Sequence, residues 1–349
     1  MKTIVMKFGG TSVADTTAMS RVIEIVRSRS QALGATPLVV VSAMSGVTDR
    51  LLGLASAAAR RDDTVTSALD ELWTRHLDAA TALVRAERRE TLVADLRAHF
   101  DDLRSLLTAT SILRAATPAA LDAIASAGEL LSSHIVAAAF ADAGVAAVWA
   151  DARRALVTDN RHTSAAPIMD ATRAAVAREI APHLAKGTAV VVGGFVGATQ
   201  NAVTTTLGRG GSDYSAAIFG AVLRATEIQI WTDVDGMLTA DPRIIDRPHV
   251  VPQLSFAEAS ELAFFGAKVL HPSTILPAVN DDIPVRILNS RRPEAPGTVI
   301  TGRETVHDRP ITALACKRRV TVIDITSTRT GSSGNCSRCS NDSRPRSTS

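Results

Sequence analysis

Cysteine is scarce: the 349-residue chain has three, Cys316, Cys336 and Cys339. That is too few for a disulfide framework in a chain of this size. Two of them form a C-x-x-C over residues 336–339, but no second Cys or His pair accompanies it, so a zinc site would lack half its ligands. An excess of charge of one sign is also lacking. The formal net charge is +3, bases and acids alternate along the chain, and the one basic cluster, Lys317-Arg318-Arg319, is short. A nucleic-acid partner is not expected, since a dedicated binder carries a basic stripe. Long apolar runs are missing too. The most apolar stretch, residues 134–150, is broken by Asp142 and Gly144 and is too short to span a bilayer. The first residues read as a strand and not as a leader. The expectation is a cytoplasmic protein without a membrane partner.

What is present suits an ordinary globular protein: 46% hydrophobic and 21% charged residues. The length permits one large α/β domain or two smaller ones. Apolar, β-branched runs at residues 3–8, 37–41, 146–150, 189–192, 227–232 and 284–288 read as strands. Helical spacing predicts helices over residues 18–29, 47–59, 169–183, 213–223, 255–265 and 273–279. This alternation argues for βαβ units and a largely parallel sheet. Residues 65–109 carry helical periodicity with no strand signal, and Leu69, Leu72, Trp73, His76 and Leu77 make one stripe that reads as helix packing. From residue 303 a new β-containing module begins, then residues 330–349 lose all hydrophobic period and read as a disordered tail.

Four stretches carry candidate chemistry, each at a strand end or helix start, where ligands bind in open α/β sheets. The first is KFGGTS, residues 7–12. Gly9 and Gly10 would let backbone approach a phosphate, Lys7 would supply a cation, and Thr11 and Ser12 suit a phosphate contact or an N-cap. The spacing is not the Walker pattern, and a plain strand-end turn before a capped helix fits as well. The second, SAMSGVTD at residues 42–49, suits close approach of a ligand or N-capping. The third runs from Gly193-Gly194-Phe195 to LGRGGSD at residues 207–213. Arg209, bracketed by glycines, offers a planar fork for a carboxylate. Asp213 is either a helix N-terminal charge or an orienter of Lys7 or of a substrate ammonium. The fourth, WTDVDGMLTADPR at residues 231–243, lacks the ligand spacing of a calcium loop and can instead frame a nucleotide through Thr232, Asp233 and Arg243. Beyond it, FGAKVLHP at residues 265–272 puts Lys268 and His271 at a helix break. No G-x-G-x-x-G follows the first strand, which argues against a dinucleotide-binding dehydrogenase.

Taken together, residues 7–12, 207–215, 231–243 and 265–272 resemble the aspartate kinases of the amino-acid-kinase superfamily, in order from residue 1 to about residue 302. The resemblance implies a three-layer αβα sandwich with a mainly parallel central sheet as the catalytic domain over residues 1–302. It implies transfer of the γ-phosphoryl of ATP, with Mg2+ held mainly through the phosphates and no metal ligands from the protein, to the side-chain carboxylate of L-aspartate. The product would be 4-phospho-L-aspartate, the first step toward lysine, threonine and methionine. Carried over by position, Lys7 and Asp213 would be catalytic, and Ser42, Thr48, Glu129, Phe195, Arg209, Ser212 and Asp213 would line the aspartate pocket. Lys7, Gly9, Gly10, Thr11, Ser12, Thr232, Asp233, Asp235, Arg243 and Lys268 would bind ATP. Glu129 enters only through the resemblance; from the residues alone it is a carboxylate on an apolar helix in need of a partner.

Leu238 departs from the family, whose members often carry Tyr there. The family's regulatory portion is a pair of ACT domains, and residues 309–327 resemble the beginning of the first. An incomplete ACT-like module over residues 303–329 is therefore expected, with a homodimer weakened by the missing region. The competing expectations are a kinase for glutamate or acetylglutamate, and a nucleotide-binding fragment without turnover. The abrupt loss of pattern fits a change of reading frame near Arg329. Sequencing the source DNA checks this, and an unbroken frame encoding the tail would overturn it.

Overall fold

A strand buried on both faces reads as a continuous apolar run. That is the character of β1 (Lys2–Phe8), β2 (Ala35–Val41) and β5 (Ala189–Gly193), whose residues are almost all buried. The computed structural model describes residues 2–265, 272–302 and 311–314. Lys268, His271, the three cysteines and the expected tail lie outside the described residues. Of the expected ACT-like start, residues 311–314 are described: they are irregular, and the Leu314 N–H donates to the Thr239 carbonyl at 2.8 Å.

The remaining strands are β3 (Ala147–Trp149), β4 (Val157–Thr158), β6 (Val196–Thr199), β7 (Thr204–Thr206), β8 (Ile228–Thr232), β9 (Gln253–Ser255), β10 (Val285–Asn289) and β11 (Thr298–Thr301). The main sheet has eight strands in the order β3-β5-β2-β1-β8-β10-β11-β9. Every neighbouring pair in it is parallel except β10 with β11. A small second sheet, β4-β6-β7, flanks it.

Alternate residues of the central strands feed two separate cores. Ile4, Met6, Phe8, Val39 and Val41 pack on one face, with α1 (Thr16–Leu33), α2 (Val47–Ala59), α3 (Thr64–Leu83), α4 (Ala86–Leu113) and α5 (Pro118–Asp142). Val5, Leu38, Val40, Val190 and Val192 pack on the other. That face holds α6 (Ala152–Ala155), α7 (Met169–Glu179), α8 (Ala181–Ala185), α9 (Gly211–Leu223), α10 (Phe256–Phe265) and α11 (Leu276–Asn280). The result is the expected helix–sheet–helix sandwich.

The helical excursion over residues 65–109 is α3 and α4, and its stripe packs as expected. Leu69, Leu72 and His76 are buried. The His76 Nδ1 lies 2.7 Å from the Leu72 carbonyl, and burial pushes its pKa down to about 4. The predicted helix over 169–183 breaks at Ile180, because Pro182 cannot continue an α-helix hydrogen-bond ladder. One described helix, α5, is long and apolar enough to cross a membrane by length and composition, and 83% of its apolar window is buried inside the fold. It is the central helix of its layer.

Gly128 lets α5 approach the loop after β2. A Cβ there would lie 2.8 Å from the Ala43 Cβ and 3.2 Å from the Val47 Cγ1. Gly128→Ala should therefore destabilise the fold by a net of about 1–2 kcal/mol, because overpacking outweighs the helix-propensity gain of about 1 kcal/mol. Urea unfolding measures this, and an unchanged midpoint would show that α5 can slide away from the loop.

Candidate active site

Parallel strands deliver their carboxyl ends to one edge of the sheet. There the backbone ladder continues past the strands. The Gly9 N–H donates to the Trp231 carbonyl (3.1 Å), the Ser42 N–H to that of Phe8 (3.0 Å), and the Gly194 N–H to that of Val41 (2.8 Å). The order of strands reverses at β1, which has β2 on one side and β8, reached later in the chain, on the other. A crevice at such a switch point is where open α/β sheets bind ligands.

Lys7 sits at that point, near the end of β1. Its Nζ lies 2.6 Å from the Asp213 Oδ1, with the two side chains only 11% and 15% exposed. Asp213 stands in the first turn of α9, whose N-cap, Gly210, takes the left-handed conformation. A cavity of ≈ 600 Å³ opens beside the pair. Its lining includes Lys7, Ser42, Thr48, Glu129, Phe195, Arg209, Ser212 and Asp213, so every residue expected around an aspartate reaches one hollow.

Glu129 is buried on α5 and its Oε2 has no hydrogen-bond partner. Burial pushes its carboxyl up to about 8, while the Ala43 backbone amide and the Lys7 ammonium pull the other way. A buried carboxyl with an unmet oxygen, on a residue that lines a cavity, is suited to a ligand that brings a donor.

A second cavity, of ≈ 380 Å³, is lined by Gly9, Gly10, Thr11, Thr232 and Asp233 of the expected nucleotide set, and shares Ser42, Thr48 and Glu129 with the first. Of the other expected nucleotide contacts, Lys7 lines the first cavity, and Ser12, Asp235 and Arg243 line neither. The Ser12 hydroxyl is buried and donates to the Ser290 Oγ at 2.8 Å. Asp235 accepts from the Asn289 Nδ2 at 2.7 Å and pairs with Arg292. Arg243 is exposed and folds onto its neighbour Asp241. Among the described residues no three His, Cys, Asp or Glu side chains converge as a metal cage.

Two residues escaped the sequence reading. Asp122 lines the first cavity and lies on α5 seven residues before Glu129, a spacing that puts both on one helix face. Arg75, on α3, donates from Nη1 to the Ser45 carbonyl and from Nη2 to the Ala14 carbonyl, both at 3.0 Å. It ties together the loops that follow β2 and β1. Nothing local in the sequence marks it.

A mainly parallel αβα sandwich with a lysine and glycine turn at its switch point defines a class of phosphoryl-transfer protein, and this chain belongs to the amino acid kinase family, whose profile matches residues 2–289. Within that family its similarity is to aspartokinases. It is 37% identical over 322 residues to lysine-sensitive aspartokinase 3 of Escherichia coli, covering 92% of this chain and 69% of that protein. It is 39% identical over 331 residues to the chloroplastic aspartokinase 3 of Arabidopsis thaliana, covering 94% of this chain and 58% of that one. The crystal structure of E. coli aspartokinase III in complex with aspartate and ADP superposes with a TM-score of 0.81 at 36% identity, over 90% of this chain and 67% of that one. The Clostridium acetobutylicum aspartate kinase superposes with a TM-score of 0.72 at 26% identity, over 89% and 66%.

Glu129 makes ligand-free stability depend on pH. Its folded pKa of about 8 lies above the ordinary 4.5, so between those values the folded state holds a proton that the unfolded chain has released. Its contribution is fully present below the ordinary value and is lost as pH rises through the folded one. The Tm of the wild-type protein should fall relative to that of Glu129→Gln as pH is raised from 4.5 to 8. Thermal melts across that range check it, and a constant difference would remove the titration from Glu129.

Proposed function

We propose that this protein transfers the γ-phosphoryl group of ATP to the side-chain carboxylate of L-aspartate, giving 4-phospho-L-aspartate and ADP. The observation that carries the reading is the Lys7–Asp213 pair in the wall of the larger cavity together with Arg209 and Glu129, the last of which also lines the smaller one. The aspartate and ADP held by the similar E. coli enzyme support it.

Charge dictates the division of labour. The acceptor and ATP are both anions, so the catalytic problem is to hold like charges together in line. In the larger cavity Arg209 grips the α-carboxylate with two parallel hydrogen bonds, and Glu129 receives the α-ammonium. Those two contacts leave the side chain of aspartate aimed at Lys7. Ser42, Thr48 and Ser212 supply hydroxyls around it, and Phe195 supplies an apolar wall. On the other side, the backbone amides of Gly9 and Gly10, with Thr11, face the phosphates, and Thr232 and Asp233 flank the nucleotide.

A carboxylate oxygen of aspartate attacks the γ-phosphorus, the bond from that phosphorus to the β–γ bridging oxygen breaks, and ADP departs with the electron pair. No proton has to move, since the acceptor is already ionised at neutral pH. The Lys7 ammonium lies where negative charge spreads over the transferred group, and Asp213 holds it in place. Magnesium would be carried by the phosphates, with Asp233 among the carboxylates that line the smaller cavity, and it would supply further charge neutralisation. Lys268 would complete the nucleotide contacts. The product is the activated carboxylate that opens the route to lysine, threonine and methionine, and a cytoplasmic location suits it.

Hydroxylamine traps an acyl phosphate as a hydroxamate. Purified protein with ATP and magnesium should give an aspartate-dependent signal, and none with glutamate or acetylglutamate. Lys7→Ala should lower it by about 10²-fold or more, the usual scale for removing one transition-state charge partner. An undiminished signal in the variant would strip Lys7 of its role, and a signal with another acceptor would change the substrate.

A further inference from the structure

Asp122 is a buried carboxylate, 1% exposed, that the phosphoryl-transfer chemistry does not use. It accepts from two separate stretches of chain. From β7 comes the Thr206 hydroxyl, 2.5 Å from Oδ1. From the loop after β4 come the Thr163 N–H, 3.0 Å from Oδ1, and the ring Nδ1 of His162, 2.7 Å from Oδ2.

Both stretches shape the wall that carries Arg209. Thr206 runs directly into Leu207-Gly208-Arg209, and its carbonyl accepts from the Ala165 N–H at 2.9 Å. Gly208 lies so close to the Thr163 carbonyl that a Cβ would come within 3.0 Å of it. Thr163 itself has φ 68°, a left-handed conformation that costs a non-glycine residue free energy and persists only where surroundings hold it. The Asp122 carboxylate, bonded to the N–H of that residue, is such a hold.

We propose that Asp122 is a positioning residue that sets the Arg209 loop through Thr206 and Thr163, so that one face of α5 governs both ends of the substrate. Glu129 would act on the ammonium directly, and Asp122 on the carboxylate contact at one remove. This rests on the larger cavity being the aspartate pocket.

The test uses the full chain and steady-state kinetics in both substrates. Asp122→Asn keeps the shape but replaces an ionic acceptor with an amide that cannot serve all three donors. The KM for aspartate should rise about tenfold, the scale of one lost hydrogen bond to a charged group, with the KM for ATP within about twofold. Thr206→Val removes one donor and should shift the same constant about threefold. Adding Thr163→Gly to Asp122→Asn should recover part of the loss, because glycine adopts the left-handed conformation without strain. A purely structural role predicts equal damage to both KM values and no recovery, and that result overturns the assignment. If Asp122→Asn does not fold, an unchanged aspartate KM in Thr206→Val overturns it as well. Wild-type protein silent toward aspartate sinks the reading of the cavity together with this one, whereas active wild-type with an unaltered Asp122→Asn sinks only this one.

Discussion

The arrangement depends on one ion pair. Lys7 is the last residue but one of a strand whose preceding three residues, Ile4, Val5 and Met6, lie in the core, so its ammonium emerges among poorly solvated groups. A charge in such surroundings needs a partner. Asp213 meets it at 2.6 Å from the start of a helix on the far side of a sheet connection. The strand is central, held by β2 and β8 through parallel ladders, so the ammonium cannot shift without moving its neighbours. The larger cavity opens beside that fixed charge, and the smaller one adjoins it through Ser42, Thr48 and Glu129.

How much of this is legible in the sequence depends on whether a feature is local. The central strands were readable because burial on both faces demands unbroken apolar runs, as in residues 37–41. The strands without such a run were not: β7 is three threonines and β9 is Gln-Leu-Ser, each only three residues long. Similarly, the predicted helix over 273–279 became a 3-10 turn, Pro272–Ile275, followed by α11 with Pro277 in its first turn. The glycine-rich turns that frame the site announced themselves by composition. Asp122 and Arg75 did not, because their partners lie 30 to 84 residues away and only the fold brings them near.

Helix α5 joins these themes. It is apolar enough to resemble a membrane span, yet Asp122, Ser126, Glu129, Ser132 and Ser133 are all buried along it. Most of these have found partners inside the protein. The Ser132 hydroxyl donates to the Ser42 carbonyl at 2.8 Å, and the Ser133 hydroxyl accepts from the Trp149 indole at 2.9 Å. The oxygen of Glu129 that stays unmet is the informative one, because buried polar atoms are rarely left so without a reason.

The guanidinium of Arg75 gives the α3–α4 excursion a mechanical meaning. It hooks two carbonyls belonging to different crossovers, and those crossovers otherwise touch the sheet at separate strands. One side chain from the outer helices therefore braces the loop after β1 and the loop after β2 against a common anchor, and the second of these loops borders the smaller cavity.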